Sequence, residues 1–446
     1  ASSQVAAANL NGDGACTLVD FDCVGAYVTS QAGTPRVNRQ GIANPASIGL
    51  NSGSGLRSDP LIVENISQWQ GLKNFSQQNS LHTVISSDLN FDDGINLYSP
   101  FNDRLKSSYF TGVIDGLHHS LDGITFTQAY TGTQFYGILI GSSFGGEIKN
   151  LHWNKATVIG HSYSSLISSY SLGGRYKSLS FDDVHFSFDG SYTSLISSGE
   201  SMGDLIHDIS IHDTSLEKNA IYNASYVGLV QSQAVHSVVS DVKIRKSSIT
   251  DHPDKVMLFV GMVSGRSIYD NRYESLSIDV DIYAHNPNDY FGGIIGWAWE
   301  GTTIKNSIAS GEIVGGRKYQ GGFVGGSRIF FSENNISAVD IFGAEGAFYC
   351  SGFSGFNYKN GNEHSSINIK KSVYLSSIFC DGGTDYDPET LNPTEDLNFG
   401  FNHAYNNAKN NFNFWLDDET DDADSCYRAD VSAEPNEPCS YVSDLA

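Results

Sequence analysis

The chain has 446 residues and a strong excess of acidic side chains: 50 Asp and Glu against 26 Lys and Arg give a formal net charge of −24. Such a surface repels nucleic acid, anionic lipid and polyanionic polysaccharide, so these partner classes are excluded. The negative charge is compatible with binding of calcium, other cations or neutral glycans, and it can also serve solubility alone. No run of about eighteen apolar residues occurs, so the sequence contains no membrane-spanning helix.

The first distinctive motif lies near the N-terminus, where oxygen-bearing side chains recur at alternate positions around Gly12. They follow the spacing of a calcium loop of EF-hand type, in which Gly permits the sharp turn. The predicted calcium ligands are Asn9, Asn11, Asp13, Ala15, Thr17 and Asp20. The motif resembles one half of a dockerin-type repeat, although Asn9 replaces the usual Asp and Asp20 replaces the usual Glu. A plain Asn-Gly and Asp-Gly turn explains the same residues without calcium.

Six cysteines form three pairs that are each close in sequence. The predicted disulfides join Cys16 to Cys23, Cys350 to Cys380, and Cys426 to Cys439. No pair has the spacing of a zinc or redox site, so disulfides in an oxidising compartment are favoured, although six cysteines allow fifteen connectivities. The chain opens with the small polar residues Ala1 to Gln4, as an exported protein does after signal-peptide cleavage. These features predict secretion.

An internal repeat that begins near Gly112 is the strongest signal in the chain. Short runs of Gly or Ser followed by apolar residues recur at steps of 24 to 34 residues. The runs are GILIG at 137, SLISS at 165, SLISS at 194, GLVQS at 228, GMVSG at 261, GIIGW at 293, GFVGG at 322 and GAFYC at 346. After each run comes a second segment, such as IKNLHW or YKSLSF, in which apolar and polar residues alternate with the strand period.

This repeat predicts an all-β, right-handed parallel β-helix. A unit of two or three short strands cannot bury its apolar face alone, whereas stacked units share one continuous core. Leucine-rich and helical repeats are excluded because the Leu-Asn signature and long amphipathic helices are both missing. We predict an N-terminal cap with the calcium loop over residues 1–58, the β-helix over 59–375, and a disulfide-tied cap with an acidic linker over 376–446.

The repeat segments also resemble a known family. GGIIGWAWEGTTIKNSIASGEIVGG and YGILIGSSFGGEIKNLHWNKATV are similar to the GLUG-motif repeats of large bacterial surface proteins. The resemblance extends over about residues 59 to 418, with Trp415 in the position of the family's closing tryptophan. It implies a parallel β-helix of the kind used in bacterial adhesins and in the non-catalytic stalks of secreted peptidases. Ser replaces Gly in several coils, and Cys350 and Cys380 are not part of the family pattern.

Two carboxylates on neighbouring predicted coils, Asp270 and Glu300, are the candidates for catalysis. Glycosidases use two carboxyl groups about 5 to 9.5 Å apart, which residues at one corner of adjacent coils can supply. With Arg266, Arg272 and Arg328 nearby, the pair could act as acid and base or as an arginine-assisted lyase site. A surface salt-bridge network explains the same residues without chemistry.

Aromatic residues around the GIIG run provide the predicted ligand site. These residues are Trp297, Trp299, Tyr269, Tyr273 and Tyr290. Rings exposed on one side of a β-helix can stack on the faces of neutral sugars. Packing of the same rings beneath a long turn is the alternative interpretation.

The sequence as a whole predicts a secreted or cell-surface adhesin-like module of a bacterium, which binds an extracellular glycan or another surface ligand without catalysis. Calcium is its predicted cofactor, and the acidic run at 417–424 indicates a linker to a further domain. A polysaccharide hydrolase or lyase is the first alternative, and a structural spacer or filament subunit is the second. Neither nucleic acid nor membrane insertion is expected.

Overall fold

The computed structural model describes residues 53–72, 80–91, 110–127, 136–160, 163–219, 223–285, 290–316, 318–344, 347, 350–356, 366–375, 377–379 and 409–415. All six predicted calcium ligands lie outside these residues, as do five of the six cysteines. The predicted caps fall almost wholly outside them as well. The remaining cysteine, Cys350, is buried and disulfide-bonded, and the identity of its partner stays a prediction.

The coils stack into three parallel sheets, which contain 22, 8 and 7 strands within the described residues. The eight-stranded sheet consists of β6 Tyr136–Gly137, β10 Ser164–Ser165, β14 Tyr192–Ser194, β18 Ala224–Val227, β22 Met257–Gly261, β26 Tyr290–Gly292, β30 Gln320–Gly321 and β34 Cys350–Ser351. The seven-stranded sheet consists of β7 Ile140–Phe144, β11 Ser168–Leu172, β15 Ser197–Met202, β19 Gln231–Val235, β23 Ser264–Ile268, β27 Ile295–Ala298 and β31 Val324–Ser327.

The long sheet covers the rest of each coil. Its strands are β1 Leu61–Val63, β2 His82–Ile85, β3 Leu89–Asn90, β4 Val113–Asp122, β5 Thr125–Thr127, β8 Glu147–Asn154, β9 Thr157–Gly160, β12 Arg175–Asp182, β13 His185–Phe188, β16 Leu205–His212, β17 Ser215–Lys218, β20 Val238–Arg245, β21 Ser248–Thr250, β24 Arg272–Glu274, β25 Ser277–Ala284, β28 Thr302–Lys305, β29 Ile308–Gly315, β32 Ile329–Glu333, β33 Ile336–Phe342, β35 Ser366–Tyr374, β36 Ile378–Phe379 and β37 Lys409–Trp415. A short helix, α1 (Ile66–Gly71), is capped by Asn65, whose side chain accepts a hydrogen bond from the Gln68 amide.

The coils turn at residues in the left-handed backbone region, which bends a strand sharply. Glycine, His236, Tyr269 and Asp270 hold this conformation between the seven-stranded sheet and the long sheet. A second row lies within the long strands at Asn150, Ser178, Asp208 and Asp241, and continues between pairs of shorter strands at Ser275, Asn306 and Asn334. A third row follows those strands, at Gly123, Lys155, Asp183, Asp213 and Lys246. Many of these residues are Asn, Asp or Gly, which tolerate the conformation best.

The core is one continuous column of apolar side chains along the stacked coils. A single row of the long sheet illustrates it, because the register aligns Ile148, Tyr176, Ile206, Val239, Tyr273 and Ile304 in consecutive coils, all fully buried. Each coil therefore buries its apolar face against its neighbours, as the repeat predicted.

Parallel pairing of successive coils confirms the predicted parallel β-helix. The predicted runs align in register, since Gly137 pairs with Ser165 and Ser165 pairs with Ser194. β37, which pairs with β35, lies in the stretch predicted as the C-terminal cap, so the long sheet includes residues beyond 375. No helix in the described part of the chain is long and apolar enough to span a membrane.

Candidate binding site

The predicted carboxylates Asp270 and Glu300 lie on consecutive coils at the corner between the seven-stranded and long sheets. The Asp270 amide donates a hydrogen bond to the Glu300 carbonyl at 2.9 Å. The Glu300 carboxylate accepts a 2.5 Å hydrogen bond from Arg328, and an Asp270 oxygen lies 4.0 Å from Nδ1 of His236. The structure therefore brings three of the predicted residues together, with His236 added to the cluster.

The other two arginines are engaged elsewhere. Nη1 of Arg266 donates to the Tyr226 hydroxyl at 3.1 Å, and its guanidinium lies 5.4 Å from the centre of the Tyr226 ring. Arg272 forms an ion pair with Glu274 at 2.5 Å. Because these contacts direct both guanidinium groups to other partners, Arg328 is the predicted arginine that contacts Glu300.

A ladder of aromatic rings follows the eight-stranded sheet. Successive centroids lie 4.4 to 5.3 Å apart through Tyr163, Tyr192, Tyr226, Phe259, Tyr290, Tyr319 and Phe356. Each of these side chains is half-buried. Since each inner ring has a neighbouring ring on both sides, the ladder presents ring edges more than ring faces to solvent. The sequence alone indicates Tyr290 but not the ladder, which depends on the register of coils whose lengths differ.

The five predicted ligand residues do not form one open platform. Tyr273 is fully buried in the core, and burial raises the pKa of its hydroxyl to about 12. Trp297 is 5% exposed and packs edge-on against Tyr290 at 4.7 Å. These two side chains thus correct the expectation of exposed rings, because their positions in β24 and β27 direct them into packed layers.

Tyr269 and Trp299 are the more accessible members of the predicted set. Tyr269 is 45% exposed and stacks against His236 at a centroid distance of 5.8 Å. Trp299 is half-buried, and the Arg328 guanidinium lies 5.5 Å from its ring centre. Trp299 also lies 5.8 Å from the Trp297 ring, and ligand binding stays a prediction for Tyr269 and Trp299.

A groove of about 570 Å³ crosses five coils of the long sheet just beyond the corner. Adjacent strands lie about 4.8 Å apart, so its length is roughly 19 Å. Its lining comes from β8, β12, β16, β20 and β24 and the residue after β24: Glu147, Arg175, Tyr176, Lys177, Leu205, His207, Val238, Ser240, Asp241, Arg272, Glu274 and Ser275. Leu205 and Val238, each 4% exposed, form an apolar floor between charged walls.

The walls of the groove contain planar polar groups held in fixed positions. Nδ1 of His207 lies 2.9 Å from the Asp241 carboxylate and 3.0 Å from the Ser240 hydroxyl. Because the acid and the hydroxyl meet the same ring nitrogen, this trio lacks the arrangement of a nucleophilic triad, in which they contact opposite nitrogens. The three groups are suited to hydrogen bonding with a ligand.

A local signal for the groove exists in the sequence. Leu205 and Ile206 are consecutive apolar residues at the start of β16, and Val238 and Val239 repeat this pattern in β20. In a half-buried strand one member of each pair must face outward. The sequence does not reveal that the two outward residues are neighbours, since that requires the register between coils.

The described residues contain no group of three or more His, Cys, Asp or Glu side chains that could hold a metal ion. Calcium binding by the N-terminal loop stays a prediction, because that loop lies outside the described part of the chain.

Comparisons with known proteins yield one structural likeness. No protein-family model matches the chain, and no curated protein matches it significantly. A solved structure from Bacteroides ovatus, described as a putative immunoglobulin A1 protease, aligns with a TM-score of 0.40 and 10% sequence identity. The alignment covers 84% of this chain and 90% of the other. At this similarity no function is transferred.

Proposed function

We propose that this chain is a secreted or cell-surface adhesin-like module that binds a neutral glycan in the groove of the long sheet. The groove itself supports this proposal: it combines an apolar floor with planar hydrogen-bonding groups. Leu205 and Val238 offer a surface to the C–H face of a sugar ring, and Arg, His, Asp and Glu side chains offer donors and acceptors to its hydroxyl groups.

Charge indicates the class of glycan. The groove contains side chains of both signs, and several are paired, such as Arg272 with Glu274. The net charge of −24 repels uronate and sulfated polymers at long range. A neutral oligosaccharide avoids that repulsion and can use both donors and acceptors in the walls.

Binding without catalysis is part of this proposal. The Glu300 carboxylate is held by Arg328, and His207, Ser240 and Asp241 lack the geometry of a triad. Calcium would act outside the groove, through the N-terminal loop. A polysaccharide hydrolase or lyase that uses Asp270 and Glu300, and a spacer without a ligand, are the competing functions.

A neutral-glycan array probed with the whole chain, with and without calcium, tests the proposal. A glycan that binds wild type should bind the Ser240→Arg variant at least tenfold more weakly, because the long side chain fills the groove. Ser210→Arg is the matched control, since Ser210 is an exposed serine of β16 that does not line the groove. It should bind as wild type does.

Reducing-end assays on each bound glycan separate binding from cleavage. New reducing ends that disappear in Asp270→Asn or Glu300→Gln would establish the enzyme and overturn the proposal. No binding to any glycan would favour the spacer. Equal binding by the two serine variants would place the ligand outside the groove.

A further inference from the structure

A lysine and an aspartate are buried together inside the β-helix. Lys218 is the last residue of β17, and Asp189 follows the last residue of β13 on the preceding coil. Both side chains have no solvent exposure, and Nζ of Lys218 lies 3.3 Å from Oδ1 of Asp189. The function proposed above does not use this pair.

Burial opposes the charged form of the Lys218 amine, although its nearest contacts favour that form. Nζ lies 5.7 Å from the centre of the Phe188 ring and donates a 2.8 Å hydrogen bond to the Asn219 carbonyl. Burial lowers the pKa of Lys218, although the Asp189 charge opposes the shift. Removing two opposite charges from water is costly, so a reaction that eliminates both charges is favoured at this site.

We propose that Lys218 and Asp189 form an intramolecular isopeptide cross-link between consecutive coils. Nζ forms a C–N bond to Cγ of the Asp189 carboxyl group. One C–O bond of the carboxyl group breaks, and its oxygen leaves as water with two protons from the Lys218 ammonium group, so that the amide keeps one N–H. The reaction converts one amine and one acid into one amide and one water, and needs no oxidant or other reactant.

The product suits its site better than the ion pair does. An amide is neutral, so it removes the cost of keeping two charges out of water. Its N–H can still donate to the Asn219 carbonyl, which Nζ already contacts. Expulsion of water from a closed apolar site also disfavours hydrolysis, and the new bond ties two coils together covalently.

An exposed pair on the same sheet provides the contrast. Lys305 and Glu333 lie closer together, at 2.6 Å, but their side chains are 36% and 34% exposed. Water solvates both charged groups there, so condensation would relieve no cost of burial. The two pairs thus separate the effect of burial from that of distance.

The intact mass of the purified, reduced and denatured chain tests the cross-link. Wild type should be lighter than its sequence mass by one water molecule, and a protease digest should yield a branched peptide joining the segments that contain residues 189 and 218. Lys218→Arg and Asp189→Ala should restore the full mass, whereas Lys305→Arg should retain the loss.

A wild-type mass equal to the sequence mass would overturn the proposal, whether or not the variants fold. Loss of water without the branched peptide would also overturn it, because dehydration would then lie elsewhere. Neither readout depends on glycan binding, so failure of the cross-link and failure of the proposed function are distinguishable.

Discussion

Two parts of the β-helix fill the same row of one sheet with different small residues. Ser165 and Ser194 occupy this row in two consecutive coils, and Gly261, Gly292 and Gly321 occupy it in three later ones, while Gly137 precedes the serines and Ser351 follows the glycines. Both serines are fully buried, and neither hydroxyl has a hydrogen-bond partner among the described residues. This row therefore requires a small side chain, and it does not require a hydroxyl group.

The glycine coils are the more tightly closed. A Cβ atom at Gly292 would lie 1.9 Å from the Ile295 carbonyl oxygen and 2.6 Å from the Gly325 amide nitrogen. Both atoms belong to the backbone and cannot move aside as a flexible side chain could. The serine coils already contain a Cβ atom in this row. The backbone around this position must therefore be more open in the serine coils than in the glycine coils.

Exchanging serine and glycine between the two groups of coils should have the largest effect on stability. Gly292→Ser should lower the free energy of unfolding by about 3 kcal/mol, since the corner must open to admit Cβ. The reverse change, Ser194→Gly, should cost at most about 1 kcal/mol, through backbone entropy and a lost contact. Urea unfolding followed by circular dichroism measures both, and equal losses would contradict the distinction.

A second difference lies in the polar residue buried just beyond the corner. The register aligns Asp204 with Ser237 and Asn271 in the following coils. The Asn271 amide group donates to two carbonyls and the Ser267 hydroxyl, and accepts from the Ser237 amide. Asp204 accepts hydrogen bonds from Ser171, Ser201 and the Gly174 amide, but its ionised form cannot donate.

Burial of Asp204 predicts that stability depends on pH. Desolvation raises the pKa of this carboxyl from 3.8 to about 7, against the opposing effect of its hydrogen bonds. The folded chain therefore holds a proton that the unfolded chain releases near pH 4. The stability that the protonated Asp204 carboxyl contributes is complete below about pH 4 and is lost as the pH rises through 7.

The Asp204→Asn variant tests this pH dependence, because the asparagine side chain does not ionise. It should be more stable than wild type by about 2 kcal/mol at pH 8, and this advantage should shrink as the pH falls to 5. Thermal unfolding across that range measures the difference, with Asp279→Asn on the solvent-facing side of β25 as the control. An advantage that is independent of pH would show that the Asp204 carboxyl does not titrate as described.

The smallest expected effect concerns the serine hydroxyls themselves. Ser198 is fully buried, and its hydroxyl has no partner among the described residues. Ser198→Ala should leave the urea midpoint unchanged or raise stability by up to about 1 kcal/mol, because it removes an unsatisfied polar group and creates little space. A loss above 1 kcal/mol would instead indicate a hydrogen bond that stabilises the serine coils.

The sequence alone predicts only part of the two candidate sites. It placed Asp270 and Glu300 on neighbouring coils, because the repeat spacing fixes which residues share a corner. It did not distinguish the exposed Tyr269 from the buried Tyr273, since the left-handed residues Tyr269 and Asp270 reset the alternation between them. The groove floor was missed because Leu205 and Val238 are 33 residues apart and meet only through register.

The sequence by itself determined that this chain stacks coils of parallel strands, because the apolar period and the small residues at each turn recur in every unit. Tertiary structure alone decided which side chains meet, because coils of unequal length align through backbone hydrogen bonds instead of residue count. The groove, the aromatic ladder and the buried Lys218 and Asp189 pair all arise between coils. Such contacts depend on the exact register, and a shift of one residue would send each side chain to the opposite face.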